Sequence, residues 1–109
     1  MILFVDLDNT LCTTKEGDYE NSYVDPDINQ PVIDKVNRMY DMGHTVVIWT
    51  ARGSTTGISW LALTAQQLQE WGIRHTKLLV GKPKYTLFID DKALTPKDWV
   101  LQEDDNMCI

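Results

Sequence analysis

The chain has little of what would mark a secreted, membrane-spanning or nucleic-acid-binding protein. Its 109 residues contain two cysteines, Cys12 and Cys108. That is too few for a disulfide framework, and their spacing suits no metal site, so both are expected as reduced thiols. No apolar run approaches the ~20 residues of a membrane span, and the start lacks a basic segment followed by a signal-like stretch. The expectation is a cytoplasmic chain with no membrane partner. Positive charge is also scarce: ten Lys and Arg against sixteen Asp and Glu leave a net charge of -6. This argues against a broad nucleic-acid footprint, although a local basic site stays compatible with it. No internal repeat and no linker interrupts the sequence. What remains is ordinary, with 43% apolar and 24% charged residues, and the length suits one domain over residues 1–109 that buries roughly two thirds of the unfolded chain's surface.

What stands out is the beginning. Ile2-Leu3-Phe4-Val5 is an apolar run without alternation, which suits a strand of a sheet covered on both faces, and it ends in Asp6-Leu7-Asp8. Charge at the lip of a buried sheet is costly unless a cation or a reaction requires it. A polar stretch follows to Asn29, with Glu16-Gly17-Asp18 as a turn that would make Thr13 to Tyr23 a small hairpin flap. Pro31 suits a first helical position. Val32, Val36, Met39 and Tyr40 share a face, and Gly43 can end the helix in a left-handed conformation. Thr45 to Trp49 reads as a second buried strand, running into Thr50-Ala51-Arg52-Gly53. Ser54 to Leu63 reads as a loop, Thr64-x-x-Gln67 as a capping box, and Gly72 as the end of that helix. Lys77 to Val80 and Thr86 to Ile89 are expected as third and fourth strands, and Glu103 to Asn106 as a solvated acidic tail. Strands alternating with helices imply right-handed crossovers and a mainly parallel sheet, whose ligands bind at the carboxyl ends of the strands.

Asp6, Asp8, Thr50, Lys82 and Asp90-Asp91 all fall at or just past predicted strand ends, so the topology would gather them. Several carboxylates in one place repel unless a hard cation neutralises them, and oxygen ligands of this kind suit Mg²⁺, which also accepts phosphate oxygens. A lysine and a threonine hydroxyl opposite supply charge and a donor for phosphoryl oxygens. One carboxylate is then free to attack phosphorus, and another can move the proton of the leaving oxygen and of water.

The ordered set Asp6-x-Asp8-Asn9-Thr10, Thr50, Lys82, Asp90-Asp91 resembles the four motifs of the haloacid dehalogenase (HAD) superfamily of phosphotransferases, over residues 2 to about 93. The resemblance implies Asp6 as nucleophile, Asp8 as general acid and base, and Thr50 and Lys82 as phosphate holders. It implies Mg²⁺ held by Asp6, the Asp8 carbonyl and Asp90, with Asp91 near or in the shell. The intervals leave no room for a cap domain, so a capless member is expected: a three-layer, Rossmann-like α/β domain with a parallel sheet of about four or five strands in the order 3-2-1-4. Trp49-Thr50-Ala51-Arg52-Gly53 is similar to phosphatases of capsule and polysaccharide synthesis.

The expected activity is hydrolysis of a small phosphorylated metabolite, a sugar phosphate in particular, by a chain that is free to form homo-oligomers. The rivals are a nucleic-acid end phosphatase and a phosphate-binding regulatory protein without turnover. Substrate is expected to border Asn9, Thr10, Ala51, Arg52 and Trp60. Arg52 reads equally as an exposed ion-pair partner, and Ile58, Trp60 and Leu61 read first as an apolar patch in the core or a dimer contact. A cysteine phosphatase is set aside because Cys-x5-Arg would place arginine where Asp18 stands. A response-regulator receiver is set aside because its paired acids end the first strand and its phospho-acceptor ends the third, whereas here Asp6-x-Asp8 comes first and the adjacent pair Asp90-Asp91 last. His44 and His75 are expected to be structural or at the surface.

Overall fold

The computed structural model describes residues 1–13, 23–24 and 26–104. The expected flap turn at Glu16-Gly17-Asp18, Cys108 and the end of the acidic tail lie outside the described residues. The elements run β1 (Ile2–Asp6), β2 (Cys12–Thr13), β3 (Asp27–Ile28), α1 (Gln30–Asp41), β4 (Thr45–Trp49), α2 (Leu61–Glu70), β5 (Lys77–Leu79) and α3 (Pro96–Leu101).

β4 is the middle strand of a three-stranded parallel sheet in the order β1-β4-β5. Leu3 pairs with Val46 and Val5 with Ile48 on one side, and Ile48 pairs with Leu78 on the other. These side chains face the core, where Val5, Val46 and Ile48 cluster with Val32, Ile33, Val36 and Met39 of α1, Leu68 of α2 and Trp99 of α3. The three helices thus cover one face of the sheet. On the opposite face Ile2 and Phe4 are 69% and 59% exposed, and the Phe4 and Trp49 rings meet edge to face, 5.8 Å between centroids. β1 is therefore not the doubly covered strand its apolar run suggested. Among the described residues it has one neighbouring strand and one helix-covered face, so its side chains alternate in burial.

Among the described residues the parallel sheet holds three strands where four or five were expected, and β2 and β3 form a separate antiparallel pair. Thr86–Ile89 takes no part in the sheet, and Leu87 and Ile89 are exposed. The reason is connection length. Six residues, Val80 to Tyr85, separate it from β5, whereas a parallel strand needs a crossover of about a dozen or more. Tyr85 and Phe88 instead pack on each other at 5.3 Å.

α1 matches its pattern, with Pro31 in the first turn and Val32, Val36 and Met39 buried, while Ile33 rather than the exposed Tyr40 completes the face. Gly43, at φ 94°, donates to the Tyr40 carbonyl and ends the helix as expected. α2 starts at Leu61, three residues before the anticipated capping box, and no side chain caps it. α3 was not anticipated, although Thr95-Pro96 is a legible start: Thr95 Oγ1 accepts the Asp98 N–H at 3.2 Å. α3 is fastened by Lys35, a fully buried lysine of α1 that donates to the carbonyls of Trp99 (2.5 Å) and Gln102 (2.6 Å). Asp104, expected in a solvated tail, pairs with Arg38 at 2.8 Å, which holds its carboxyl below the ordinary range. No helix among the described residues is long and apolar enough to cross a membrane.

Candidate active site

β1 delivers Asp6 at its last residue, and the chain then turns sharply. Asn9 adopts φ 65°, a left-handed conformation that asparagine tolerates. The turn lets the Leu7 carbonyl take the N–H groups of Thr10, Leu11 and Cys12 at 3.2, 2.9 and 3.3 Å. Asp6 and Asp8 therefore emerge side by side from a fixed backbone. Thr10 Oγ1 donates to Asp6 Oδ2 at 3.3 Å. Both carboxylates border a cavity of about 290 Å³. Ala51, Arg52, Gly53, Trp60, Lys82 and Tyr85 share its wall with Tyr23.

Each carboxylate has its own cation. Lys82 Nζ lies 3.2 Å from Asp6 Oδ1. Its burial opposes the charge, but the Tyr85 hydroxyl and Asp6 outweigh that, and the ammonium is held above its ordinary range. It also sits over the rings of Trp49 and Tyr85, at 5.6 and 5.2 Å. Lys82 reaches this position because its N–H bonds the Thr50 carbonyl, at 3.2 Å, just past the end of β4.

Arg52 holds Asp8. Nη2 donates to Asp8 Oδ1 at 2.8 Å and Nε to Oδ2 at 3.0 Å. The third nitrogen, Nη1, donates to Thr64 Oγ1 at 3.1 Å and Gln67 Oε1 at 2.6 Å. The Tyr23 ring covers the guanidinium at 4.6 Å. At 3% exposure Arg52 is not the exposed ion-pair partner, although it still borders the cavity. Thr64 and Gln67, which read as a capping box, are its acceptors. The following residue has to be glycine: Gly53 has φ 82°, and a Cβ there would stand 2.2 Å from the Ile58 carbonyl oxygen.

Thr50 is buried, with Oγ1 accepting the Arg52 N–H at 3.1 Å, and it does not border the cavity. Trp60 does, packed edge-on against Tyr23 at 5.1 Å. Its neighbours Ile58 and Leu61 are exposed rather than part of the core. Asn9 and Thr10 shape the turn behind the carboxylates. Cys12 is a free, buried thiol 3.6 Å from Asp8 Oδ1, and burial first, then the Asp8 charge, pushes its pKa up to about 12. His44 lies at the other end of the sheet against the N-terminus, and His75 bonds the Ile73 carbonyl.

Asp90 and Asp91 are exposed and do not border the cavity. Asp90 Oδ1 caps a local turn, accepting the Lys92 N–H at 2.7 Å. Among the described residues no three His, Cys, Asp or Glu side chains are grouped to hold a metal ion. The residues brought together do not make up the magnesium shell that the sequence led one to expect. Tyr23, the last residue of the expected flap, stands in the wall, and Tyr85 was missed there. Lys82-Pro83-Lys84-Tyr85, an aromatic beside a lysine at a strand end, was the available signal for Tyr85.

No protein-family model matches the chain, and no curated protein matches it. A crystal structure of a structural-genomics target from Vibrio cholerae is similar, with a TM-score of 0.80 and 27% identity over 95% of this chain and 90% of that one.

Proposed function

We propose that the chain is a phosphomonoester hydrolase of the HAD type, acting on a small phosphorylated metabolite, with a sugar phosphate favoured. The observation that carries the reading is the pair Asp6 and Asp8 opening into one cavity with Lys82 beside Asp6. A carboxylate nucleophile, a second carboxyl group two residues on and a held cation are what transfer through an aspartyl-phosphate requires. An Asp6 oxygen bonds phosphorus as the bond to the leaving oxygen breaks, and that oxygen takes a proton from Asp8. Water then loses a proton to Asp8 as it displaces Asp6, releasing inorganic phosphate. Lys82 is the proposed partner of the non-bridging oxygens, while Thr50, buried behind the cavity, acts through the backbone it shares with Lys82 and Arg52, and Trp60 offers the leaving group an aromatic face. A cavity of about 290 Å³ suits a phosphorylated sugar better than a polymer end.

The test is a panel of phosphorylated metabolites and an aryl phosphate, assayed with and without Mg²⁺, for wild type and Asp6→Asn. Turnover by wild type that vanishes in Asp6→Asn supports the reading. Phosphate binding without turnover overturns it in favour of a regulatory protein.

A further inference from the structure

We propose that Arg52 is a positioning residue that aims the Asp8 carboxyl group and ties it to α2 and to Tyr23, and that it does not bind the leaving group. The inference rests on the phosphohydrolase reading for what Asp8 does, but the clamp itself is geometric. All three guanidinium nitrogens are engaged by protein: Nε and Nη2 on Asp8, Nη1 on Thr64 and Gln67. One face is covered by Tyr23. A fork bonded in this way has no edge left for a substrate phosphate or carboxylate, although its position beside the cavity invites that reading.

What the fork does to Asp8 is specific. Its two nitrogens take one lone-pair direction of each carboxylate oxygen and fix the plane of the group; Cys12 Sγ stands 3.6 Å from Oδ1, so Oδ2 keeps the free direction for a proton. The anchor is rigid, because Thr64 and Gln67 sit one turn apart on α2 and are both buried. Gln67 further donates to the Tyr23 carbonyl. One buried side chain thus links the proton-transfer group, the first turns of α2 and the aromatic wall. Proton transfer to an alkoxide depends on placement within a fraction of an ångström, so loosening Asp8 slows the step that needs the proton and spares one that does not.

The experiment compares kcat/KM, which reports aspartyl-phosphate formation, on glycerol 2-phosphate, a poor leaving group, and on 4-nitrophenyl phosphate, which leaves without a proton. Arg52→Lys keeps the charge and loses the fork. It is expected to lower kcat/KM on the alkyl ester about 10- to 100-fold, the usual cost of removing an orienting partner, with little change on the aryl ester. Added to Asp8→Asn it is expected to cost nothing further. Gln67→Met, which removes one acceptor of Nη1 and leaves Asp8 and Arg52 in place, gives the same split at smaller size and carries the test if Arg52→Lys does not fold. A raised KM with kcat kept would return Arg52 to substrate binding, and equal losses on both esters would make it scaffold only; either overturns the proposal. The side-chain ¹³C signal of Asp8 gives a readout independent of turnover. It is expected to move in Arg52→Lys at constant neutral pH while that of Asp6 stays, and an unmoved Asp8 signal overturns the clamp. A wild type that hydrolyses nothing, with the Asp8 signal still moving, overturns the phosphohydrolase reading and the catalytic role of Arg52 with it, and leaves the clamp standing.

Discussion

Replacing Lys35 by methionine tests how α3 is held. The Lys35 ammonium is fully buried, donates to the carbonyls of Trp99 and Gln102, and lies 3.5 Å from Asp104 and 5.2 Å above the Trp99 ring. Methionine keeps most of the stem, so the change opens little cavity and removes chiefly the charged donor. Two hydrogen bonds from a charged group are worth roughly 1.5–3 kcal/mol each before compensation. Some of this is recovered. The Trp99 carbonyl keeps the Gln102 N–H at 3.2 Å, Gln102 is only half-buried, so water reaches its carbonyl, and the cost of burying an ammonium disappears. About half survives, a net loss of ~1.5–3 kcal/mol, which is a large share of the ~5–15 kcal/mol that holds a domain of this size. Urea unfolding followed by tryptophan fluorescence measures it as a lowered midpoint with an unchanged slope. A Lys35→Met protein that unfolds at the same or higher urea concentration would refute the reasoning. It would mean that desolvation of the ammonium cancels its bonds and that α3 is held by Trp99 packing alone.

Gly53→Ala is expected to destabilise by about 1–3 kcal/mol from its positive φ alone. The 2.2 Å approach to the Ile58 carbonyl oxygen adds to this, and a thermal melt reads the total. Asp8→Asn should slow hydrolysis of an alkyl phosphate by ~10²- to 10⁴-fold, measured as steady-state phosphate release. Cys12, in a Cys108→Ser background, should react with a disulfide reagent at neutral pH only as fast as the protein unfolds, because the buried thiol stays protonated. The same shift has a signature in stability. The unfolded thiol loses its proton near its ordinary 9.0 and the folded one near 12, so the unfolded state binds fewer protons between those values and stability falls as pH rises through that window. Cys12→Ala should flatten that part of the pH–stability curve, as read by urea midpoints.

The sheet and its site were legible to different degrees, for physical reasons. β1, β4 and α1 are marked by unbroken apolar runs or a clear helical period, and Asp6, Asp8 and Lys82 could be placed at strand ends because parallel topology leaves little choice. Thr86–Ile89 looks like β5 by composition, and only the length of the preceding connection separates the two. Thr64-x-x-Gln67 matches a capping box in every residue, yet both side chains turn inward to Arg52. That inward turn depends on a buried cation supplied from a different loop, which no local pattern contains. Lys35 is a similar case, a charged residue on a buried helix face whose partners are carbonyls some 65 positions away in the chain. Asp90 and Asp91 follow the same logic in reverse, since their motif expects them in the site and the six-residue connection leaves them at the surface.

The central claim is that Asp6 attacks phosphorus. The direct measurement is acid quenching of Asp8→Asn during reaction with a phosphorylated substrate, followed by proteolysis and mass spectrometry of the peptide carrying Asp6. In that variant the account predicts that attack continues on an activated ester while hydrolysis of the adduct is slowed. The Asp6 peptide should therefore gain the mass of one phosphoryl group, lose it on treatment with hydroxylamine, and stay unlabelled when Asp6 is replaced by asparagine. Release of phosphate from the ester with no labelled Asp6 peptide at any quench time would contradict the account and move the chemistry to another group.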